Sequence, residues 1–381
     1  MEVQTDRVRF VLNPFHVRPV PPVLLPPEPS DVAAFHRALP GYAPTPLVAL
    51  PALAAELGVG AVWAKDEAHR FGLGAFKALG ASYGMHRWLA ARPAAPVTFA
   101  TATAGNHGRA VAWTARMFGY RAVIFVPRHT VAARIEALRR EEAEVVVVDG
   151  SYDDAVRRAA EESARNGWQM ISDTAYPGYT EIPGWIMAGY ASVFSEAAAQ
   201  LEALGAPAPD LVLLQAGVGG LAYAGALFYV RRAGTGGPRL VVVEPTEAAG
   251  LLESIRSPDG DIRAAHGSGR TIMAGLNAAT PSLAAWPLLR AAVDAFLAVD
   301  DGFAEAAMRR LHGGTAGDPR VVAGEAGAAG LAGLLALCRE PALAEARAAL
   351  GLGPTTRVLL VVSEGATDPE SYRRIVGADP A

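Results

Sequence analysis

Lysine is nearly missing from this chain. Of its 34 basic residues only Lys65 and Lys77 are lysines, and arginine supplies the other 32. Arginine replaces lysine wherever a diffuse positive charge is enough, but only lysine has a primary amine that can shed its proton and condense with a carbonyl. Cysteine is rarer still. Cys338 stands alone in an apolar run, which excludes an intramolecular disulfide and any zinc site built on several thiolates, and no metal site is expected. Charge of one sign is lacking too. The formal net charge is −4, and the arginine pairs Arg139-Arg140 and Arg157-Arg158 are each followed by glutamates, so no nucleic-acid stripe forms. Only Leu211 to Val230 runs twenty residues without a charge, long enough to span a bilayer, but Gln215 and Gly217-Val218-Gly219-Gly220 divide it into a strand, a turn and a buried helix. The N-terminus lacks the charged-then-apolar pattern of a leader. The expectation is a soluble cytoplasmic protein.

What is present has a rhythm. Residues 13–30 hold seven prolines and read as an extended arm. From about residue 97, short β-branched runs alternate with alanine-rich helical stretches. The strands read as 97–100, 122–126 and 144–148, with helices from 109, over 131–142 and over 153–165. A second set of strands follows at 211–214, 240–244, 296–299 and 358–363. Strands alternating with helices predict parallel sheets covered on both faces. Two such sets predict two open parallel-sheet α/β lobes, with the ligand in the cleft between them.

Four constellations carry chemistry. Lys77 lies in the small-residue setting Phe71-Gly72-Leu73-Gly74-Ala75-Phe76-Lys77-Ala78. Thr103-Ala104-Gly105-Asn106-His107-Gly108 sits at a strand-to-helix switch, where backbone amides can receive a carboxylate and Asn106 can donate to a phenolic oxygen; His107 is either a contact or a structural residue. Gly217-Val218-Gly219-Gly220-Leu221 precedes a helix, a setting in which bare amides cradle an anion. That loop suits a single phosphate, and equally a dinucleotide, because Gly217, Gly219 and Ala222 satisfy a loose fingerprint and Glu244 stands where a ribose-binding acid would. Ser363 follows the last strand, where a hydroxyl points toward a ligand or caps a turn. Asp173, in Ser172-Asp173-Thr174-Ala175-Tyr176, reads as the end of a short strand and as a proton acceptor or an Asx turn.

Taken in order, these motifs resemble the fold type II (tryptophan-synthase-β-like) family of pyridoxal phosphate enzymes, and within it the diaminopropionate ammonia-lyases. Tyr42-Ala43-Pro44-Thr45-Pro46-Leu47 looks like the family's opening motif. Lys65-Asp66-Glu67, Arg70-Phe71-Gly72-Leu73, Ala75-Phe76-Lys77, Gly105-Asn106-His107-Gly108-Arg109, Ile182-Pro183 with Trp185-Ile186-Met187, Thr271 to Leu276, Asp318-Pro319-Arg320 and Gly324-Glu325 continue it. The resemblance implies a homodimer with a proline-rich arm over 1–30, a large cofactor domain over 31–84 and 196–381, and a small α/β domain over 85–195. It implies that pyridoxal phosphate joins Lys77 as a Schiff base beside Phe76, that Asn106 holds its phenolic oxygen, that Gly217, Val218, Gly219, Gly220 and Leu221 cradle its phosphate, and that Ser363 faces its pyridine nitrogen. Thr103, Ala104, Gly105, His107 and Tyr176 would meet a small amino-acid substrate, with Lys77 and Asp173 catalytic. The implied reaction is β-elimination to a 2-oxo acid and ammonia.

Two positions depart from that pattern. The lyases have an aspartate, associated with the D-isomer, where this chain has Ala104, and often an asparagine where it has Gly74. An L-selective lyase using Asp173 or Lys77 as base is therefore expected. The alternatives are a serine/threonine dehydratase or β-replacement enzyme on the same scaffold, a non-catalytic ligand-binding homologue, and a nicotinamide-dependent oxidoreductase built on Gly217 and Glu244.

Overall fold

The computed structural model describes residues 1–27, 31–92, 97–314 and 317–380. Its chain divides into two compact units: unit 1 takes residues 1–28, 43–74 and 191–381, and unit 2 takes 29–42 and 75–190. The boundaries fall at 74/75 and 190/191 rather than at 84/85 and 195/196, so the helix Lys77–Ala91 belongs whole to unit 2. Residues 28–30, the end of the expected arm, lie outside the described residues.

Among the described residues, twelve strands form two sheets. Those of unit 1 are β1 (Glu2–Gln4), β2 (Val8–Leu12), β3 (Leu47–Ala49), β4 (Ala61–Asp66), β9 (Leu211–Gln215), β10 (Arg239–Pro245), β11 (Ala295–Val299) and β12 (Arg357–Val362), in the order β1-β2-β11-β10-β9-β12-β4-β3. The five central strands, β11 to β4, are parallel, with Val241 opposite Leu213 and Val358 opposite Leu211. All five residues of β9 and all five of β11 are buried, as strands covered on both faces must be. The edges differ from the expectation of purely parallel sheets, because β2 joins β11, β1 joins β2 and β3 joins β4 antiparallel. β1 and β2, read with the arm, are therefore sheet: Val8 and Phe10 are fully buried and Val11 nearly so, which holds β2 on the core.

Unit 2 contains β5 (Thr98–Thr101), β6 (Arg121–Pro127), β7 (Glu144–Val148) and β8 (Gln169–Met170), ordered β7-β6-β5-β8 and parallel throughout. Helices Asn106–Phe118, Ala132–Arg140 and Tyr152–Asn166 alternate with these strands. The last opens on a reciprocal capping box in which Ser151 and Asp154 each bond the other's backbone N–H. Among the described residues no helix is long and apolar enough to cross a membrane. The uncharged stretch from residue 211 is a strand followed by the helix Gly220–Ala233. Cys338 is free and packs against the large core, where burial pushes its thiol up to about 11.

Candidate active site

Lys77 is the first residue of its helix, where the positive end of the helix dipole disfavours an ammonium. A carboxylate offsets this: Lys77 Nζ donates to Asp173 Oδ2 at 2.6 Å. Burial acts to lower the amine's pKa, but the Asp173 charge, then Tyr190, outweigh it and hold the amine above its usual range. Burial likewise acts to raise Asp173, and chiefly the charge of Lys77 overcomes it, leaving a carboxyl well below its usual range. Without another partner, the pair rests as ammonium and carboxylate.

Asp173 does not close a strand. It lies three residues beyond β8, in a loop pinned by Tyr179, whose hydroxyl accepts from Ser172 N at 2.9 Å and donates to Met170 O at 3.0 Å. His107 braces the same loop, with Nε2 2.9 Å from Ile171 O. A carbonyl only accepts, so Nε2 holds the ring's proton. Burial keeps the imidazole neutral, and the Nδ1 lone pair lies 3.9 Å from Asp173 Oδ2. The structure thus brings Lys77, Asp173 and His107 together. Phe76 is buried beside the amine, which lies 5.2 Å from its ring centroid. Tyr176 is half exposed and stacked on Tyr179 at 5.0 Å, farther along the loop.

The turn before the helix Asn106–Phe118 is tight. Thr103 Oγ1 accepts from Gly105 N at 3.1 Å, so that amide, offered on sequence to a substrate carboxylate, is already engaged. Ala104 is half-buried and Asn106 opens the helix.

In unit 1, β9 ends at Gln215 and runs into the glycine turn. Gly219 has a φ of 97°, a conformation side-chain-bearing residues avoid, and a Cβ on it would lie 2.9 Å from Leu289 Cδ1. No side chain among the described residues caps the helix Gly220–Ala233 that follows. Gln215 ties this turn to Ser363: its Nε2 donates to Val361 O at 2.6 Å and to Ser363 Oγ at 3.0 Å. The Ser363 hydroxyl, accepting from this amide, in turn donates to Ala326 O at 3.4 Å. Glu244 is not positioned for a ribose, because its two carboxylate oxygens accept from Leu251 N and Leu252 N, each at 2.8 Å. Gly74, with φ 75°, takes the left-handed conformation that glycine and asparagine tolerate best, and a Cβ there would meet only Thr367 at 3.5 Å. The backbone of this chain thus suits either residue.

Lys65 is the structural counterpart of Lys77. It is fully buried in β4 and donates to Thr45 O at 2.7 Å, Glu196 Oε2 at 2.6 Å and Gln200 Oε1 at 3.0 Å. Arg70 joins the cluster, bonding Glu67 at 2.7 Å and Glu196 at 2.8 Å. Replacing Glu196 by alanine leaves buried Lys65 without a carboxylate partner and Arg70 with Glu67 alone, and is expected to cost roughly 3–5 kcal/mol in chemical denaturation. A loss below about 1 kcal/mol would contradict this assignment.

Residues 38–364 match the family model described as pyridoxal-phosphate dependent enzyme. The diaminopropionate ammonia-lyase of Salmonella typhimurium strain LT2 is 38% identical over 367 residues, covering 91% of this chain and 91% of the relative. The crystal structure of the Escherichia coli diaminopropionate ammonia-lyase in complex with D-serine superposes with a TM-score of 0.90 at 35% identity, covering 98% of both chains. The same enzyme in complex with an aminoacrylate–PLP azomethine reaction intermediate gives 0.90 at 37%, again over 98% of both. The fold is that of the fold type II enzymes.

Proposed function

The chain belongs to the family of pyridoxal-phosphate dependent enzymes, and on that premise we propose that it is an ammonia-lyase that eliminates the β-amino group of 2,3-diaminopropionate as ammonia, the released enamine taking up water to give pyruvate and a second ammonia. The observation that carries this reading is the Lys77–Asp173 pair, an amine and a carboxylate 2.6 Å apart in a chain whose other lysine is sealed.

The residues fit the cofactor. Lys77 would receive its aldehyde. The helix start at Gly220, uncapped by a side chain and preceded by glycines, would hold the phosphate from Gly217 to Leu221. Asn106 would hold the phenolic oxygen. Ser363, which accepts from Gln215 and donates to Ala326 O at 3.4 Å, would turn that hydrogen from the carbonyl to the pyridine nitrogen. Bound pyridoxal phosphate supplies a conjugated ring that accepts the electron pair left at the substrate's α-carbon. A hydroxyl at that nitrogen, unlike a carboxylate, does not hold a full proton there, which suits an elimination needing the pair only briefly.

The protein's own groups manage the protons. While Lys77 is an ammonium, Asp173 is too weak a base to serve. Once the amine is engaged elsewhere its charge no longer faces Asp173, burial prevails, and the carboxyl rises toward a useful range for taking the α-proton of the L-isomer. The β C–N bond then breaks with its electron pair on nitrogen, and Lys77 stands near to exchange the proton that departs with ammonia. Thr103, Gly105, His107 and Tyr176 belong to the same reading as substrate contacts. A cytoplasmic homodimer belongs to it as well and rests on the resemblance alone.

Ala104 sharpens the substrate. Without a carboxylate at that position, L-diaminopropionate should turn over at least about 100-fold faster than the D-isomer, and Ala104→Asp should raise the D rate at least about tenfold. Pyruvate release from each pure isomer measures this, and comparable rates in the parent chain would end the L-selective reading.

A further inference from the structure

The helix Glu181–Gly189 ends in an apolar run, and the residue after it is Tyr190. This helix lies close against Lys77–Ala91 because both offer glycine: a Cβ on Gly189 would fall 2.5 Å from Leu79 O, and one on Gly80 would fall 2.3 Å from Tyr190 Cε1. The Tyr190 ring is 1% exposed and meets Phe76 edge-on, with centroids 4.6 Å apart at 61°. Carbon atoms do all of this holding, and a phenylalanine would pack as well. Yet the hydroxyl is there, buried, with no hydrogen-bond partner among the described residues. A buried hydroxyl left unpaired destabilises a fold, so its presence calls for a use.

Lys77 Nζ lies 5.7 Å from the Tyr190 centroid, near enough for its charge and an off-geometry contact with the hydroxyl to act on the phenol. The amine therefore has three polar neighbours with different capacities. Ionised Asp173 can only accept. Neutral His107 shows Asp173 a lone pair, its single N–H being spent on Ile171. Of the three, only the phenol can both accept from an ammonium and donate to a neutral amine. Burial keeps it protonated, outweighing the opposing Lys77 charge.

We propose that Tyr190 is a positioning residue for the reaction, its hydroxyl serving as the second partner of the Lys77 amine and so releasing the Asp173 carboxylate to act on substrate. The proton count is simple. An N–H bond of Lys77 breaks and its proton passes to water, the neutral amine's lone pair accepts the Tyr190 hydrogen without transfer, and Asp173 stays a carboxylate until the substrate's α C–H bond breaks and an O–H bond forms on it. The inference rests on the lyase reading above.

Tyr190→Phe tests it. With two lysines in the chain, ¹⁵N-lysine labelling yields two side-chain signals, and buried Lys65 is an internal control. In the cofactor-free full chain, the Lys77 nitrogen signal should move while that of Lys65 stays. In the loaded protein, kcat should fall about 100-fold with KM within about threefold of the parent. The Tm should be equal or higher, since an unpaired buried hydroxyl has been removed. An unmoved Lys77 signal, or a kcat within about threefold of the parent, overturns the proposal. Should Tyr190→Phe fold poorly, 3-fluorotyrosine at 190 decides. It keeps the ring and acidifies the phenol, so the alkaline limb of the kcat profile should move to lower pH, and an unmoved limb is the overturning result. The lysine signals are read without cofactor. A parent chain that develops no visible band with pyridoxal phosphate therefore ends the enzyme reading, whereas an unmoved Lys77 signal with that band intact ends only this one.

Discussion

Lys77→Arg, mixed with pyridoxal phosphate, develops no visible absorbance band and turns over diaminopropionate at least about 10⁴-fold more slowly than the parent. The charge, and much of the volume, survive this change. What is lost is the capacity to shed a proton and attack an aldehyde, because a guanidinium stays protonated at every working pH. In most proteins a neighbouring lysine complicates such an experiment. In this chain the only other lysine is fully buried and donates to Thr45 O, Glu196 and Gln200. Lys77→Ala should show the same silence, with partial recovery of turnover on adding a small primary amine. A band of parental strength in either variant would remove Lys77 from the centre of the site.

Asp173→Asn should split two properties that usually fall together. Turnover of L-diaminopropionate should drop about 10²–10⁴-fold, the ordinary loss for a positioned base. Capture of pyridoxal phosphate at pH 8 should speed up, by about tenfold or more. Burial lowers the Lys77 proton affinity and the Asp173 charge raises it. With an amide at 173 the largest raising influence is gone while burial still lowers, so more of the amine is neutral. Stopped-flow absorbance reads the capture, and a slower capture in the variant would contradict the pairing. Stability follows the same logic. The folded pKa of Asp173 lies below its ordinary 3.8, so the pair's contribution is present above about pH 4 and is lost as pH falls through the lower folded value. The asparagine variant should show a shallower decline of Tm on that acid side.

Much of the architecture was legible in the chain. The strand read over 144–148 is β7 residue for residue, and those at 211, 240, 296 and 358 differ from the structure by one or two positions. Such strands announce themselves through local apolar runs. β1 and β2 were not legible, because β2 takes its place only by pairing with β11, nearly three hundred residues away. Lys77 and the glycine turn stood out by rarity and by motif. Asp173 stood out as a proton acceptor on a strand end; it lies beside Lys77, but β8 stops at Met170 and leaves it in a loop. Gln215 had a visible signal, a lone amide closing an apolar strand, but its bond to Ser363 is purely tertiary. Tyr190 had none: it follows Trp185-Ile186-Met187-Ala188-Gly189 and reads as core, and only the packing around Gly80 reveals an unpaired hydroxyl beside the amine.

The two N-terminal strands act as a selvedge on the larger sheet. β11, which they cover, is Ala-Phe-Leu-Ala-Val, five apolar residues with no charge or proline among them. Bared, its row of amides and carbonyls would template strands from other copies, the first step toward aggregation. β2 occupies that row with its buried face, and β1 ends the ladder after three residues bearing Glu2 and Gln4. An affinity tag or truncation at the N-terminus therefore touches the colloidal behaviour of the chain before it touches any catalytic group.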